Sequence, residues 1–493
     1  MCVTAVAGLG LGEHMTAMRR LVPAISALAL TLGSVAVCAR ESGALTVPAT
    51  GVIGVDDAML APDFWIRRLN DADRILLDDK AIAAENAALV EKDPTLHDLQ
   101  ALPATLTRKQ VTDWINAMSE RPSKPMYDAD NAELSVAAID ALIANVDLGS
   151  IAEQTPARYA LVVHRADLRT FPSTLRAFSE RNNSNIDRFQ ESALFPGTPV
   201  VIVHASRDGK WRFVVSPRYA AWVENRFLAE GPAAQVFGYA DRKPYRIVTG
   251  ATATTVFSPT QPAISQLQLD MSVRVPVAAD WPAEKSVDGQ HPYTAHVIEL
   301  PLRADDGTLK IVPALLPRNA DTQGEYLPLT RANILRQAFK FLGERYGWGH
   351  SYDARDCSGF VSDVYRSMGV QMPRNTRDQA VSPGLNHRLF TDQDDRGARL
   401  AAVRALEVGD LVYIPGHVMM AIGVVEGEPY VIHDTTGLSY RRDDGSRVRV
   451  DLNAVSVSPL TPLLYGTDKT YVDRMTSIVR IRPATDTEAS AKP

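Results

Sequence analysis

A chain of 493 residues with 45% hydrophobic and 22% charged residues is too long for one hydrophobic core and reads as several globular domains. Its formal net charge of -6 and ordinary composition exclude wholesale disorder and offer no electrostatic footprint for nucleic acid.

Residues 1–39 read as an export signal, with Arg19 and Arg20 as the positive flank, Leu21 to Val37 as the apolar run, and Met15 or Met18 as the start. Val35-Ala36-Val37-Cys38 resembles a lipoprotein cleavage box with acylation on Cys38, although Val37 is larger than usual there; ordinary cleavage near Ala39 is the alternative. No second apolar stretch of about 20 residues follows, so a membrane is expected as a partner only through a lipid on Cys38. The expected location is the periplasm or cell envelope. The cysteines are Cys2, Cys38 and Cys357, so processing leaves Cys357 as a single thiol in an oxidising compartment, which has to be buried or used.

Residues 45–150 carry helix-type patterning and are expected to form a helical N-terminal domain: Phe64, Trp65, Leu69, Ile75 and Leu76 fall at helical spacing, and Val111, Trp114, Ile115 and Met118 repeat it. From 156 to 240 the texture changes to short strands around Asp208-Gly209, predicting a small all-β barrel in which Trp211 and Trp222 are core. A second all-β unit is expected over 241–318, and Pro313 to Gln323 reads as a linker. The last domain, 325–484, opens with a helix from Asn333 to Tyr346 capped by Thr330. A helix from Cys357 to Met368 follows, stopped by Gly369, and then strands over Asp410 to Ile414, His417 to Val424, Pro429 to His433 and Ser477 to Ile481, an α+β plan.

Cys357 stands at the start of its helix, where unpaired N–H groups and the dipole favour a thiolate. A nucleophilic sulfur needs a base and a group to orient that base, and His417 and His433 are placed at strand ends to supply them. A buried inert cysteine and lone structural histidines are the competing reading. A zinc site lacks a CxxC partner or a spaced histidine pair, so no metal and no other cofactor is expected.

The wording around these residues is specific: Tyr346-Gly347-Trp348-Gly349, Asp356-Cys357-Ser358-Gly359-Phe360, Met372-Pro373-Arg374, Leu406-Glu407-Val408-Gly409-Asp410-Leu411, Gly416-His417-Val418 and Val431-Ile432-His433. This resembles the NlpC-type, papain-like cell-wall cysteine peptidases. The stretch from Phe189 to Ser216 is similar to the bacterial SH3-like domain that precedes such catalytic domains, and the helical segment from Pro62 to Asp79 resembles the N-terminal domain of the same subgroup. The expected architecture is multidomain: an α+β papain-like catalytic domain preceded by two SH3-like barrels and the helical domain.

The resemblance implies a γ-D-glutamyl-L-diamino acid endopeptidase acting on the peptidoglycan stem peptide L-Ala-γ-D-Glu-diaminopimelate. Cys357 is then the nucleophile, His417 the base, His433 the orienting residue, and the Tyr346 hydroxyl an oxyanion donor. The subgroup with SH3-like domains is expected to take peptides with a free N-terminal L-Ala, whose ammonium would meet Asp356; a plain helix-capping carboxylate is the other reading of Asp356. Ser358, Thr376 and Gln379 are expected to line the groove, with Glu191 and Tyr219 reaching in from the first barrel, and His350 is expected to be solvated. Two other classes of function stand beside this one: a wall-binding or scaffolding protein with a degenerate peptidase domain, and a papain-like amidase or acyltransferase.

Overall fold

Six strands form one antiparallel sheet in the spatial order Asn386–Leu389, Ser477–Arg480, Leu411–Ile414, His417–Val425, Glu428–Arg441 and Arg447–Pro459. Side chains alternate across it, so Val418, Met420 and Ile422 enter one core while Val412, Ile414 and Met419 enter another. Helices Arg331–Phe339 and Cys357–Arg366 cover the first face through Ile334, Leu335, Phe360, Val361 and Val364, and helix Arg396–Arg404 covers the second. Thr330 caps its helix by accepting from the Asn333 N–H, as expected, although that helix ends at Phe339. The strand carrying His433 runs on to Arg441, well past the expected end.

The computed structural model describes residues 45–482, and the export segment lies outside them. The expected helical domain over 45–150 has no core of its own. Val55, Met59, Trp65, Leu77 and Ile82 belong to the core between the six-stranded sheet and its first two helices, whereas Leu106, Val111, Ile115, Ile139, Leu142 and Val146 pack against the first barrel. Helical periodicity shows that a helix has an apolar face but not which body that face meets. Only Pro62–Ile66 of the first segment is helical, and Ile75–Leu77 is a strand paired with Leu329–Thr330. Trp65 is pressed against Gly423, whose φ is 147° and where an added Cβ would lie 2.9 Å from the indole. The Trp65 N–H donates to the Met59 carbonyl (2.8 Å), which fixes the ring.

The first β region is a seven-stranded antiparallel sheet ordered Leu228–Gly231, Arg158–Val162, Pro199–Ala205, Trp211–Val215, Ala220–Glu224, Ala166–Arg169 and Gln190–Leu194. Trp211 and Trp222 are buried against helices Arg108–Met118 and Val136–Val146. The second β region is built from three small sheets around Val248, Leu269, Val275, Ile298, Leu300 and Leu316. The expected linker is mostly strand: Leu309–Pro317 pairs with Ala295–Arg303 and Thr322–Gln323 pairs with Tyr245–Val248. Pro313 is tolerated because a two-stranded ribbon has outer edges on which a missing N–H breaks no ladder bond. Among the described residues no helix is long and apolar enough to cross a membrane.

Candidate active site

Cys357 begins the helix Cys357–Arg366, and Asp356 caps it by accepting from the Gly359 N–H at 2.8 Å. The sulfur is buried, meets the Val418 backbone N–H, and lies 3.6 Å from the Thr376 hydroxyl. Val418 follows His417, so the Cys357 sulfur sits over the first residues of the strand His417–Val425. That strand pairs with Glu428–Arg441 only from Met420 and Ile432 inward, which leaves its mouth splayed around the sulfur and the two histidines.

His417 Nε2 lies 2.7 Å from His433 Nδ1, and His433 Nε2 lies 3.0 Å from the Ser458 hydroxyl. If both rings carry their proton on Nε2, His417 donates to His433 and His433 donates to Ser458. The lone pair of His417 Nδ1 is then free to accept a proton. Burial pushes His417 down to about 4 and His433 well below its ordinary value. Burial, then the charge of Asp356, pushes the Cys357 thiol up to about 12, against the pull of Thr376 and the Val418 N–H. The helix start was expected to favour a thiolate; in this resting site desolvation wins, and the pair is neutral thiol and neutral imidazole.

Tyr346 is buried, and its hydroxyl hydrogen-bonds to no other described group. Burial and the charges of Cys357, Asp356 and Asp434 hold it well above the usual phenol range, so it keeps a proton to donate. Asp356 is more heavily used than expected. Its Oδ1 accepts from Ser358 (3.2 Å), the Gly359 N–H and Arg374 Nη1 (3.2 Å), and its Oδ2 accepts from the Gly349 N–H (3.0 Å) and Arg374 Nη2 (2.8 Å). Arg374, buried, also donates to Ser358 Oγ (2.9 Å) and, across to the first barrel, to Ser192 Oγ (2.7 Å). Glu191, the neighbour of Ser192, accepts from the Tyr219 hydroxyl (2.5 Å) and the Thr170 hydroxyl (2.8 Å).

Two of the expected groove residues are buried. Gln379 is fully buried, donating to the Pro373 carbonyl (2.8 Å) and accepting from the Tyr413 hydroxyl (3.2 Å), so its amide is consumed inside the fold. Ser358 is buried within the Asp356–Arg374 network. Thr376, Glu191 and Tyr219 remain partly exposed. His350, expected in solvent, is buried against the Phe195 ring, and an added Cβ on Gly359 would lie 2.6 Å from its own ring. Periodicity carries no sign of this, because His350 lies in an irregular loop.

That loop is strained. Gly349, His350, Tyr352 and Asp353 all have φ between 54° and 63°, and the three that are not glycine each cost roughly 1–2 kcal/mol. Bonds from the first barrel offset the cost: Gln190 Nε2 donates to the Gly349 carbonyl (2.9 Å), and the Trp348 indole donates to the Gln190 carbonyl (3.0 Å). Sequence reasoning also missed Arg374 and Ser458 as parts of the site. It missed Asp434, a buried carboxyl with no partner on either oxygen, held well above the carboxylate range by burial and then by the charges of Asp356 and Glu344. Among the described residues no group of three or more His, Cys, Asp or Glu side chains could hold a metal ion.

Residues 343–453 match the NlpC/P60 family and residues 176–224 match the SH3 domain of SH3b1 type. A protein of Bacillus cereus named gamma-D-glutamyl-L-lysine dipeptidyl-peptidase is 26% identical over 210 residues, which are 40% of this chain and only 56% of that relative. A solved structure described as an NlpC/P60 endopeptidase, from Photobacterium damselae subsp. piscicida, shares the fold with a TM-score of 0.66. It is 16% identical, and the alignment covers 84% of this chain and 96% of that one. The chain therefore carries a domain that matches the NlpC/P60 family, with an SH3 domain of SH3b1 type before it.

Proposed function

We propose that this chain is a cysteine endopeptidase that hydrolyses the γ-D-Glu to diaminopimelate bond of peptidoglycan stem peptides in wall turnover or recycling. The observation that carries the proposal is the buried Cys357 sulfur at a helix start beside the first residues of the strand that presents the His417–His433–Ser458 chain. His417 Nδ1 takes the thiol proton as sulfur attacks the γ-carbonyl. The oxyanion is held by the Cys357 N–H and the Tyr346 hydroxyl. His417 returns the proton to the leaving amine, and water then resolves the thioester. The name of the Bacillus cereus relative supports a γ-D-glutamyl group on the acyl side.

The preferred substrate has a free N-terminal L-Ala. Asp356 and Glu191 bring two negative charges and Arg374 one positive charge to the barrel-facing end of the groove, so a net negative charge is left for an ammonium. Because five donors already occupy Asp356, Glu191 with Tyr219 is the more open part of that pocket. Export to the envelope, by a cleaved or lipid-bearing signal, belongs to the same reading.

The test is incubation with L-Ala-γ-D-Glu-meso-diaminopimelate, free and N-acylated, followed by mass spectrometry. Release of L-Ala-D-Glu from the free peptide alone is the expected result. Cleavage of both forms removes the ammonium pocket, and cleavage of neither moves the chain to an amidase, a transferase or a wall-binding scaffold.

A further inference from the structure

Two residues before Cys357, Arg355 is wholly buried. It donates to Asp363 (3.0 Å), both oxygens of Glu344 (3.1 Å), the Ala251 carbonyl (3.0 Å) and Asp270 Oδ1 (3.1 Å). Asp270 belongs to the second β region, outside both family matches, and is itself fully buried. The same Oδ1 accepts from Arg165 Nη1 of the first barrel. Arg165 Nη2 in turn donates to the His350 carbonyl (2.8 Å) and the Ala354 carbonyl (2.5 Å), inside the left-handed loop that leads to the nucleophile. One carboxylate thus joins the first barrel, the second β region and the approach to Cys357.

A buried ion cluster is weak evidence for stability, because desolvation consumes most of the attraction; what it supplies is a fixed register. Here the register is that of a strained loop, whose carbonyls at Gly349, His350 and Ala354 are all bound by barrel side chains. Cut from those donors, the loop would relax toward right-handed backbone and carry Asp356 and the helix start with it.

We infer that Asp270, acting through Arg165 and Arg355, is a positioning residue for Cys357, so that the second β region is part of the active enzyme and not only a spacer or wall anchor. This rests on Cys357 being the nucleophile. Asp270 touches neither the sulfur nor the groove; it fixes the backbone that places them.

The test uses the full-length protein and the variants Asp270→Asn and Arg165→Lys, each shown to be folded by its thermal transition. Two rates are measured: alkylation of Cys357 by iodoacetamide, resolved by peptide mass, and turnover of the free stem tripeptide. A loosened loop exposes the thiol and misplaces it. Alkylation should therefore rise by about threefold or more while kcat falls by roughly tenfold or more with little change in KM. Partial unfolding alone would also raise alkylation and lower kcat, so both rates are read well below each variant's thermal transition, where dilute urea leaves them unchanged. Asp270→Asn also removes a negative charge, which by itself eases thiolate formation; Arg165→Lys keeps its charge and loses the carbonyl bonds, so the inference requires it to move both rates the same way. Should Asp270→Asn not fold, Arg165→Lys alone decides. Folded variants with both rates within about twofold of the parent would overturn the inference. If the parent cleaves no stem peptide, the proposed substrate is wrong, and the alkylation rate alone judges the positioning role.

Discussion

His417, His433 and Ser458 come from three consecutive neighbouring strands of one sheet, and their alignment follows from the antiparallel register of those strands. Cys357 is reached by a loop whose carbonyls are bound by residues 159, 185 and 189 positions away in the chain. The histidine arm is therefore a product of local pairing, whereas the Cys357 arm is set from outside the six-stranded sheet and its helices. Damage to the barrels should disturb the thiol and leave the histidines aligned.

The largest effects should come from the reacting groups themselves. Cys357→Ala and His417→Ala should each lower turnover of the free tripeptide by about a thousandfold or more while a cooperative thermal transition is kept, with a modest stability loss because the sulfur lies in the core and the His417 ring packs on His433 and Tyr471. Substantial activity in either would end the mechanism. Next comes Arg374→Ala, which strands the buried carboxylate of Asp356 and cuts the link to Ser192. A loss of about 3–5 kcal/mol in denaturant unfolding is expected, together with lost turnover. Ser458→Ala should be the mildest of the substitutions, a few-fold loss in kcat and about 1 kcal/mol of stability, because it removes one hydrogen bond at the far end of the histidine chain.

Two pH dependences sharpen the same contrast. With the thiol pushed up to about 12 and His417 down to about 4, the resting pair is neutral. The alkylation rate of Cys357 should climb about tenfold per pH unit through neutral and alkaline pH, whereas a preformed thiolate–imidazolium pair would give a plateau beginning in acid. Stability should change in the opposite region. Folded His417 and His433 bind a proton less readily than in the unfolded chain, so below the unfolded value near 6.5, and down to about 4 for folded His417, the unfolded state holds more protons. Stability therefore falls as pH drops through that window, and replacing His433 with Asn should flatten the acid limb of a thermal-denaturation series.

Much of the histidine arm was legible in the sequence, because strand alternation and the short Glu426-Gly427 turn set which ends of neighbouring strands meet. The cap at Asp356 and the buried face of the helix Cys357–Arg366 were legible for the same reason: both depend on residues within one or two turns. What could not be read was long-range. Nothing near Asp270 or Arg165 marks them as partners, and the helices before the first barrel show an apolar face without saying which core receives it. Composition misled at Pro313 to Gln323, where proline suggested a linker and an edge tolerated it as strand. It also gave no hint that His350 would be enclosed between Phe195 and Gly359.

The most direct test of Cys357 as nucleophile toward γ-D-glutamyl peptides is a rapid acid quench of the enzyme during turnover of L-Ala-γ-D-Glu-meso-diaminopimelate, with the adduct located by peptide mass. The account predicts an L-Ala-γ-D-glutamyl thioester on Cys357, absent from Cys357→Ala, which releases no product. Product release by Cys357→Ala, or turnover by the parent through an adduct on another residue, would contradict it.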